Sequence, residues 1–369
     1  MPIRRLYFHI PFCHRICPYC AFYKHLPGAT AAGRVVEALL AELRHANSTF
    51  AIDPESIYFG GGTPSFLARG PTQRLLEGIR SILTLDSLKE WTLEANPRTF
   101  HRNKAALWKD AGINRVSLGV QSWTPRHLAT LGRDHDPGDA RIAFENLRSA
   151  GHDNVGIDLM FSLPGQTLHD WHHDLAATAA LQPEHISCYN LTIEEDTEFF
   201  RRRLRGEFPE NEHRNARLFR WSRRFLVSAG YRHYETSNYC LPGRESLHNR
   251  AYWTGEDFLG LGPGAVSTIN GKRWRNLPDT ERYCQESLLD PRSLHMEVET
   301  LSATDRHNER VALLLRTAEG LPAALLEPQA RSRADWLAKQ GLLQLLDGCY
   351  SLQGRARALV DPVAAELFV

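Results

Sequence analysis

Short apolar runs alternate with helical stretches through the first half of the chain, and this alternation constrains the fold most strongly. The runs are LYFHI (6–10), SIYFG (56–60), WTLEA (91–95), RVSLGV (115–120), VGIDLM (155–160) and HISCYNL (185–191). Between them, segments such as GRVVEALLAELRHA (33–46) repeat apolar residues at helical spacing. Strands that alternate with helices in this way form βαβ units around a parallel sheet. We therefore predict an α/β fold, a partial (β/α)6 barrel of the TIM-like kind.

The pattern changes after about residue 235. The segment 241–267 contains several Gly and Pro residues and is predicted to be loop with little helix. Helical periodicity returns from about residue 300, and Asp347-Gly348 between two apolar runs indicates a terminal β-hairpin. Helices followed by a small hairpin are typical of a winged-helix-like domain. The predicted parts are a core domain (1–235), a connecting segment (236–290) and a C-terminal helical, winged-helix-like domain (291–369).

Composition narrows the function classes. The chain has 369 residues, 24% of them charged and a formal net charge of +1, which gives no general attraction for nucleic acid or membranes. We find no apolar run long enough for a membrane span, and the amino terminus is too short and too polar for a signal peptide. A cytoplasmic location is predicted. In a reducing compartment, closely spaced thiols indicate metal ligands or catalysts rather than disulfides.

Three of the seven cysteines lie in one short segment, IPFCHRICPYCAF (10–22). Cys13, Cys17 and Cys20 are spaced so that a single loop can direct three thiolates at one inorganic cluster. A [4Fe–4S] cluster usually takes four cysteine ligands, so three would leave one iron open. The alternative is a structural zinc site completed by His9 or His14. Structural zinc favours four ligands and paired C-x2-C arms, which makes this alternative weaker.

A C-x3-C-x2-C loop that follows the first strand resembles the signature of the radical S-adenosylmethionine (SAM) superfamily. This resemblance implies a [4Fe–4S] cluster bound by Cys13, Cys17 and Cys20. It further implies that the amino and carboxylate groups of SAM chelate the open iron. An electron from the cluster would then cleave SAM to methionine and a 5′-deoxyadenosyl radical.

Further motifs follow the later strands. The glycine turn in YFGGGTPSFL (58–67) allows close approach of backbone to a ligand and resembles the superfamily element that holds the methionine ammonium group. Glu94 in LEANP would grip the ammonium group or the ribose hydroxyls. The residues predicted to surround SAM are Tyr7, Tyr19, Gly61, Gly62, Thr63, Glu94, Gln121, Arg133 and Asp158. The competing interpretations are a plain tight turn for the glycines, a helix N-terminal or salt-bridge carboxylate for Glu94, and an Arg133–Asp158 ion pair.

Taken together, the motifs resemble the oxygen-independent coproporphyrinogen III oxidase family, and most closely its haem chaperone branch. Phe22 stands where the oxidase carries a further cysteine, which puts oxidase activity in doubt. We do not recognise the oxidase's terminal specificity elements in residues 286–369. The chaperone branch carries an H-N-x-x-Y-W element instead. That element is present here as His248, Asn249, Tyr252 and Trp253.

The resemblance implies haem as a ligand, a haem-acceptor protein as a partner and an electron donor such as a flavodoxin or ferredoxin. His248 is the candidate haem contact, because histidine can ligate haem iron and the neighbouring aromatic rings can flank a macrocycle. A purely structural role for this element is the alternative.

Three other functions stay open at this stage: a coproporphyrinogen decarboxylase, a radical methylase or haem-opening enzyme, and a zinc-stabilised binding module. Whether SAM is cleaved does not follow from the residues. Cys188, Cys284 and Cys349 are interpreted as packing residues, as is Cys240, for which a soft-ligand role is the weaker reading. The run RRRLR (201–205) could meet haem propionates, but a solvated helical face is favoured.

Overall fold

A computed structural model describes residues 2–28, 31–208 and 211–369. Its strands are β1 (Ile3–Ile10), β2 (Ile52–Gly61), β3 (Glu90–Ala95), β4 (Arg115–Gln121), β5 (Val155–Phe161), β6 (His185–Asn190), β7 (Arg232–Glu235), β8 (Asn238–Cys240), β9 (Leu259–Leu261), β10 (Val266–Ile269), β11 (Lys272–Asn276), β12 (His295–Thr300), β13 (Leu321–Pro322), β14 (Leu343–Leu346) and β15 (Cys349–Leu352). Its helices are α1 (Ala32–Thr49), α2 (Arg69–Ile82), α3 (Arg102–Asp110), α4 (Pro125–Thr130), α5 (Pro137–Ser149), α6 (Leu168–Ala180), α7 (Glu198–Leu204), α8 (Glu212–Ser228), α9 (Leu247–Thr254), α10 (Thr280–Leu289), α11 (Ala303–Leu315), α12 (Pro328–Lys339) and α13 (Val360–Ala365).

Nine strands form the main sheet, in the order β7-β8-β6-β5-β4-β3-β2-β1-β9. Strands β1 to β6 are parallel and follow one another in chain order, which confirms the predicted α/β fold with six parallel strands. The antiparallel strands β8 and β7 extend one edge, and β9 pairs with β1 at the other. Since parallel strands end at the same rim, the loops that follow β1 to β5 meet there.

The six predicted strands are apolar on both faces because both faces are covered, as in other parallel sheets. Phe8, Ile57, Val116 and Ile157 are fully or almost fully buried in one continuous core with the helices around the sheet. Leu39 of α1 belongs to the same core. This packing fixes the strand ends and, with them, the loops that carry the candidate site residues.

The predicted loop at 241–267 is wrong in one respect, because it contains the helix α9. The helix begins after Ser246, whose side chain accepts a hydrogen bond from the backbone NH of Asn249. It ends at Gly255, which adopts a left-handed conformation with φ of 74°. The segment is too short to show a clear helical period, so its caps were the only available signal. The H-N-x-x-Y-W element therefore lies on a helix.

The C-terminal region has a small core of its own, formed by residues between 311 and 367. It contains helices and the three-stranded sheet β13-β15-β14. The predicted hairpin is present: Asp347 and Gly348 both have positive φ, as a type I′ turn requires. The exact domain boundaries stay a prediction. In the described part of the chain, every helix is too short or too polar to cross a bilayer.

Candidate functional site

The cysteine segment forms a loop that leaves β1 and folds back on itself. The backbone NH of Cys13 donates to the carbonyl of His25 (3.0 Å), and the NH of His25 donates to the carbonyl of Pro11 (2.9 Å). Between these two closing bonds, the NH of Cys20 donates to the carbonyl of Cys17 (3.2 Å). The loop is thus closed at its base, and all three cysteines lie within it.

The three thiols line one cavity of about 380 Å³, which we call the cluster cavity. Thr63 donates from its hydroxyl to the sulfur of Cys13 (3.6 Å), and Arg133 donates to the sulfur of Cys17 (3.6 Å). Burial raises the pKa of the Cys13 and Cys20 thiols, so metal binding would have to displace their protons. The donor set and its place in one cavity fit a cluster held by three thiolates.

The zinc alternative finds little support in the geometry. His9 bonds through Nε2 to the carbonyl of Tyr23 (2.7 Å), and His14 bonds through Nδ1 to Asp134 (2.7 Å). Among the described residues, no three His, Cys, Asp or Glu side chains converge closely enough to hold a single metal ion. Phe22 lines the cavity with 70% of its surface exposed, and it offers no fourth sulfur.

The glycine turn after β2 packs directly against the cysteine loop. Gly61 has φ of 107°, a conformation that side chains rarely adopt. A Cβ on Gly62 would lie 2.7 Å from the carbonyl oxygen of Phe12, and the NH of Thr63 donates to that same oxygen (2.7 Å). The glycines are thus required by the contact between two loops. This contact places the turn at the wall of the cluster cavity.

Polar groups from β4 and β5, from the end of β3 and from the turn after α4 complete this cavity. Arg133 donates to the Asn96 side chain (2.6 Å) and to the carbonyl of Gly119 (2.9 Å), and its Nε is buried without a partner among the described residues. Asp158 accepts from the hydroxyl of Ser117 (2.9 and 3.1 Å), and burial raises its pKa. Within the described chain, Arg133 and Asp158 form no ion pair, so the structural alternative for these two residues was wrong.

Most residues predicted to surround SAM line the cluster cavity. They are Tyr19, Gly61, Gly62, Thr63, Glu94, Gln121, Arg133 and Asp158. Tyr7 is the exception, because it lies in the middle of β1, below the rim where the strand ends. The structure adds Asn96 and Tyr58, which the sequence interpretation missed. Asn96 follows Glu94 by two positions, so the strand-end position that singled out Glu94 could have indicated it as well.

A second cavity of about 410 Å³ adjoins the first, and we call it the interior cavity. The two cavities share five lining residues, which are Phe22, Tyr58, Gly61, Glu94 and Tyr189. Glu94 accepts a hydrogen bond from the Tyr58 hydroxyl (2.9 Å), and burial raises the pKa of Glu94 to about 7. Glu94 is therefore a wall residue of both cavities.

The H-N-x-x-Y-W element lines the interior cavity, together with Tyr7. His248 is 1% exposed, and both ring nitrogens are engaged: Nδ1 bonds with the hydroxyl of Ser56 (2.9 Å) and Nε2 with that of Tyr252 (2.8 Å). Burial, aided by the charges of Arg5 and Arg115, lowers the pKa of His248 to about 3. The imidazole is thus neutral, the form that ligates metals. Iron could reach Nε2 only if Tyr252 released it.

Glu90 at the start of β3 holds the amino end of α9. Its carboxylate accepts from the backbone NH of Leu247 (2.8 Å) and of His248 (3.1 Å). Acidic groups are favourable at this end of a helix because its NH groups are unpaired. Glu90 and Ser56 lie 158 and 192 residues from His248 in the chain, so local sequence patterns carry no signal for these contacts.

The remaining cysteines and the arginine run have structural surroundings. Cys188, Cys240 and Cys284 are buried and Cys349 is half-buried, in agreement with packing roles. The arginine run lies on α7 and the turn that follows it. Arg201 and Arg205 pair with Glu198, and Arg202 pairs with Glu207. These exposed and half-exposed pairs fit the predicted solvated face.

Comparisons with known proteins agree with this geometry. Residues 7–177 match the model of the Radical SAM superfamily. The chain is 35% identical to the heme chaperone HemW of Lactococcus lactis subsp. lactis, over 92% of this chain and 89% of that protein. It is 37% identical to HemW of Mycobacterium tuberculosis (98% and 94%) and 35% identical to HemW of Escherichia coli (93% and 92%).

Among solved structures, the radical SAM enzyme HemN, coproporphyrinogen III oxidase of Escherichia coli, superposes with a TM-score of 0.86. It is 22% identical, and the match covers 100% of this chain and 90% of HemN. At this identity the match shows the fold. The relatives above are similar over nearly their whole length. The chain belongs to the radical SAM superfamily and, within it, to the HemW family.

Proposed function

We propose that this protein is a haem chaperone that binds a [4Fe–4S] cluster, SAM and haem, and that it transfers haem to an acceptor protein. The observation that carries the proposal is the pair of adjoining cavities. One is lined by three thiols from a single loop, and the other is lined by the complete H-N-x-x-Y-W element. The HemW relatives, which are named heme chaperones, support the same function.

In the cluster cavity, Cys13, Cys17 and Cys20 would hold the cluster. A cluster held there would supply the electron for reductive cleavage of bound SAM. Glu94 would accept hydrogen bonds from the ammonium group or ribose hydroxyls of SAM. Arg133 would contribute its unpartnered Nε and the positive charge beside the Cys17 thiolate. Asp158 and Gln121 would complete the polar wall.

In the interior cavity, Nε2 of His248 is our proposed iron contact, available once Tyr252 moves away. Tyr7, Phe22 and Tyr252 also line a third cavity of about 590 Å³, beside β10 and β11. Ligand pockets commonly measure about 300–1,000 Å³, so the interior cavity and this third cavity are large enough for a macrocycle. Aromatic side chains around them would pack against its faces.

Haem and a haem-acceptor protein are the partners that follow from the proposed function. An electron donor such as a flavodoxin or ferredoxin would reach the cluster from the side of the exposed loop residues Arg15 and Phe22, which line the cluster cavity. A cytoplasmic location suits a cluster site built from free thiols.

The proposal is tested by anaerobic reconstitution and titration with haem. We expect wild-type protein to bind about four irons and four sulfides per chain and to bind haem with a defined Soret band. His248→Ala should weaken haem binding more than tenfold, which is about 1.4 kcal/mol or more. The control His169→Ala removes an exposed histidine at the start of α6 and should change nothing.

Tyr252→Phe sharpens this assignment. It keeps the aromatic ring and removes the hydroxyl that occupies Nε2 of His248, so haem affinity should be kept or improved. If Tyr252→Phe loses haem while His248→Ala keeps it, the tyrosine is the ligand and our assignment of His248 fails. If wild-type protein binds no haem but converts coproporphyrinogen III to protoporphyrinogen, the chaperone proposal is wrong and the chain is an oxidase.

A further inference from the structure

Tyr58 joins the two cavities through direct contacts on both sides. Its hydroxyl donates to Oε1 of Glu94 (2.9 Å), and Glu94 lines the cluster cavity. Its ring packs against the imidazole of His248, with ring centroids 5.1 Å apart and an angle of 30° between the planes. One buried side chain thus touches the carboxylate proposed for SAM and the histidine proposed for haem.

The packing around Tyr58 leaves it little freedom. A Cβ on Gly60 would lie 3.0 Å from the ring of Tyr7, 3.1 Å from that of Tyr58 and 3.1 Å from Oε2 of Glu94. These three side chains therefore close around a glycine that has no side chain of its own. A change in the position of Glu94 must be followed by Tyr58, since close-packed interiors transmit displacement rather than absorb it.

His248 is held by contacts of unequal kinds. Ser56 bonds to Nδ1 and Tyr58 packs on the ring, both from β2, whereas Tyr252 occupies Nε2 from within α9. Haem binding at Nε2 would break only the last of these contacts. The hold from β2 must persist, because it fixes the direction in which the free nitrogen points. The element with two states is thus the His248–Tyr252 bond.

If the protein has the proposed function, these contacts can regulate the same site. We infer that Tyr58 is a positioning residue through which SAM, bound at Glu94, tightens haem binding at His248. SAM that bonds to the carboxylate restricts Glu94, and Glu94 in turn restricts Tyr58 and the imidazole. Haem binding then costs less conformational entropy, which is positive coupling without a large movement.

The coupling is measured by haem titration of cluster-reconstituted protein with and without saturating SAM. Coupling between sites commonly changes affinity by about 5- to 150-fold. We expect SAM to tighten haem binding by about fivefold or more in the wild type, and by less than twofold in Tyr58→Phe. Tyr231→Phe is the matched control. It removes another buried hydroxyl, one bonded to the carbonyl of Pro183, and should keep the full SAM effect.

Two further measurements keep the test decisive. Glu94→Asp withdraws the carboxylate from the Tyr58 hydroxyl and, compared at SAM concentrations that saturate this variant, should also abolish the SAM effect on haem binding, which covers the case that Tyr58→Phe folds poorly. In the wild type, haem must tighten SAM binding by the same factor, because coupling is reciprocal. A SAM effect that is absent, that weakens haem binding, or that survives in Tyr58→Phe overturns the inference. Failure of wild-type protein to bind haem at all overturns the proposed function instead.

Discussion

The two adjoining cavities present their functional atoms in opposite ways. In the cluster cavity, Thr63 and Arg133 contact the cysteine sulfurs at a long distance of 3.6 Å. In the interior cavity, both nitrogens of His248 are hydrogen-bonded at 2.8 and 2.9 Å. The first site can therefore take its ligand with little rearrangement. The second site must first break an internal hydrogen bond, so its occupancy can be regulated.

The largest expected effect concerns the cysteine loop. Cys17→Ala removes one of the three proposed cluster ligands, so we expect almost complete loss of bound iron and of the brown absorbance. Cys349→Ala is the matched control, because this half-buried cysteine lies on β15 in the C-terminal region, outside the cysteine loop. Iron and sulfide analysis after anaerobic reconstitution checks the result. Retention of four irons in Cys17→Ala would contradict the ligand assignment.

The next effect concerns the seat of α9 in the interior cavity. Glu90→Ala removes the carboxylate from the amino end of the helix and from the neighbourhood of Arg115, which is 1% exposed. Burial works against the charged Arg115, and Glu90 is the largest of the attractions that raise its pKa. Removing one partner from buried charges costs roughly 3–5 kcal/mol, so the free energy of unfolding should fall by that order.

Urea denaturation measures this loss, and Glu37→Ala is its control. Glu37 pairs with Arg74 through two hydrogen bonds on the surface, where such pairs contribute less than about 1 kcal/mol. Equal losses in the two variants would show that α9 does not depend on Glu90.

A third test concerns the pH dependence of stability and compares a carboxyl buried in the core with one that lines a cavity. Burial raises the pKa of Glu42 to about 7, as for Glu94, but Glu42 lies in the packed core, where it accepts from Tyr283, Asn276 and the NH of Gly262. Because the folded pKa exceeds the ordinary value of 4.5, the folded state binds the proton more tightly. Stability should be greatest below about pH 4.5 in this respect and fall as the pH rises to 7, by about 3 kcal/mol.

The change is checked by urea midpoints at pH 5 and pH 8. Glu42→Gln should remove the part of the stability loss between pH 5 and pH 8 that Glu42 causes. The part caused by Glu94 should remain. Glu37 is exposed and the hydrogen bond from Arg74 lowers its pKa, so the control Glu37→Gln should leave the stability change between pH 5 and pH 8 as it is in the wild type. If Glu42→Gln loses as much stability between pH 5 and pH 8 as the wild type does, Glu42 is not held neutral by burial.

The contrast between the cavities also explains what the sequence could predict. Cys13, Cys17 and Cys20 act within one loop, so their spacing alone indicated a shared cluster. The parallel strands could be predicted from the sequence because burial on both faces leaves continuous apolar runs. His248 was found by its motif, but Ser56, Tyr58 and Glu90 surround it from distant parts of the chain. Contacts of that kind depend on strand register, which no local pattern encodes.

The smallest effect tests whether the cluster cavity is as ready for its ligand as the contacts indicate. A Cβ on Gly119 would lie 2.8 Å from Oδ1 of Asn96 and 3.0 Å from Nε2 of Gln121, both side chains of the cavity wall. Gly119→Ala should displace these amides and weaken SAM binding by roughly tenfold, or about 1.4 kcal/mol. Gly33→Ala, in open space on α1, is the matched control and should leave SAM affinity unchanged. Equilibrium SAM binding to reconstituted protein checks this prediction. Unchanged SAM affinity in Gly119→Ala would mean that SAM does not contact this wall. A loss of SAM affinity with unchanged haem binding in the absence of SAM would show that the two cavities are separate sites.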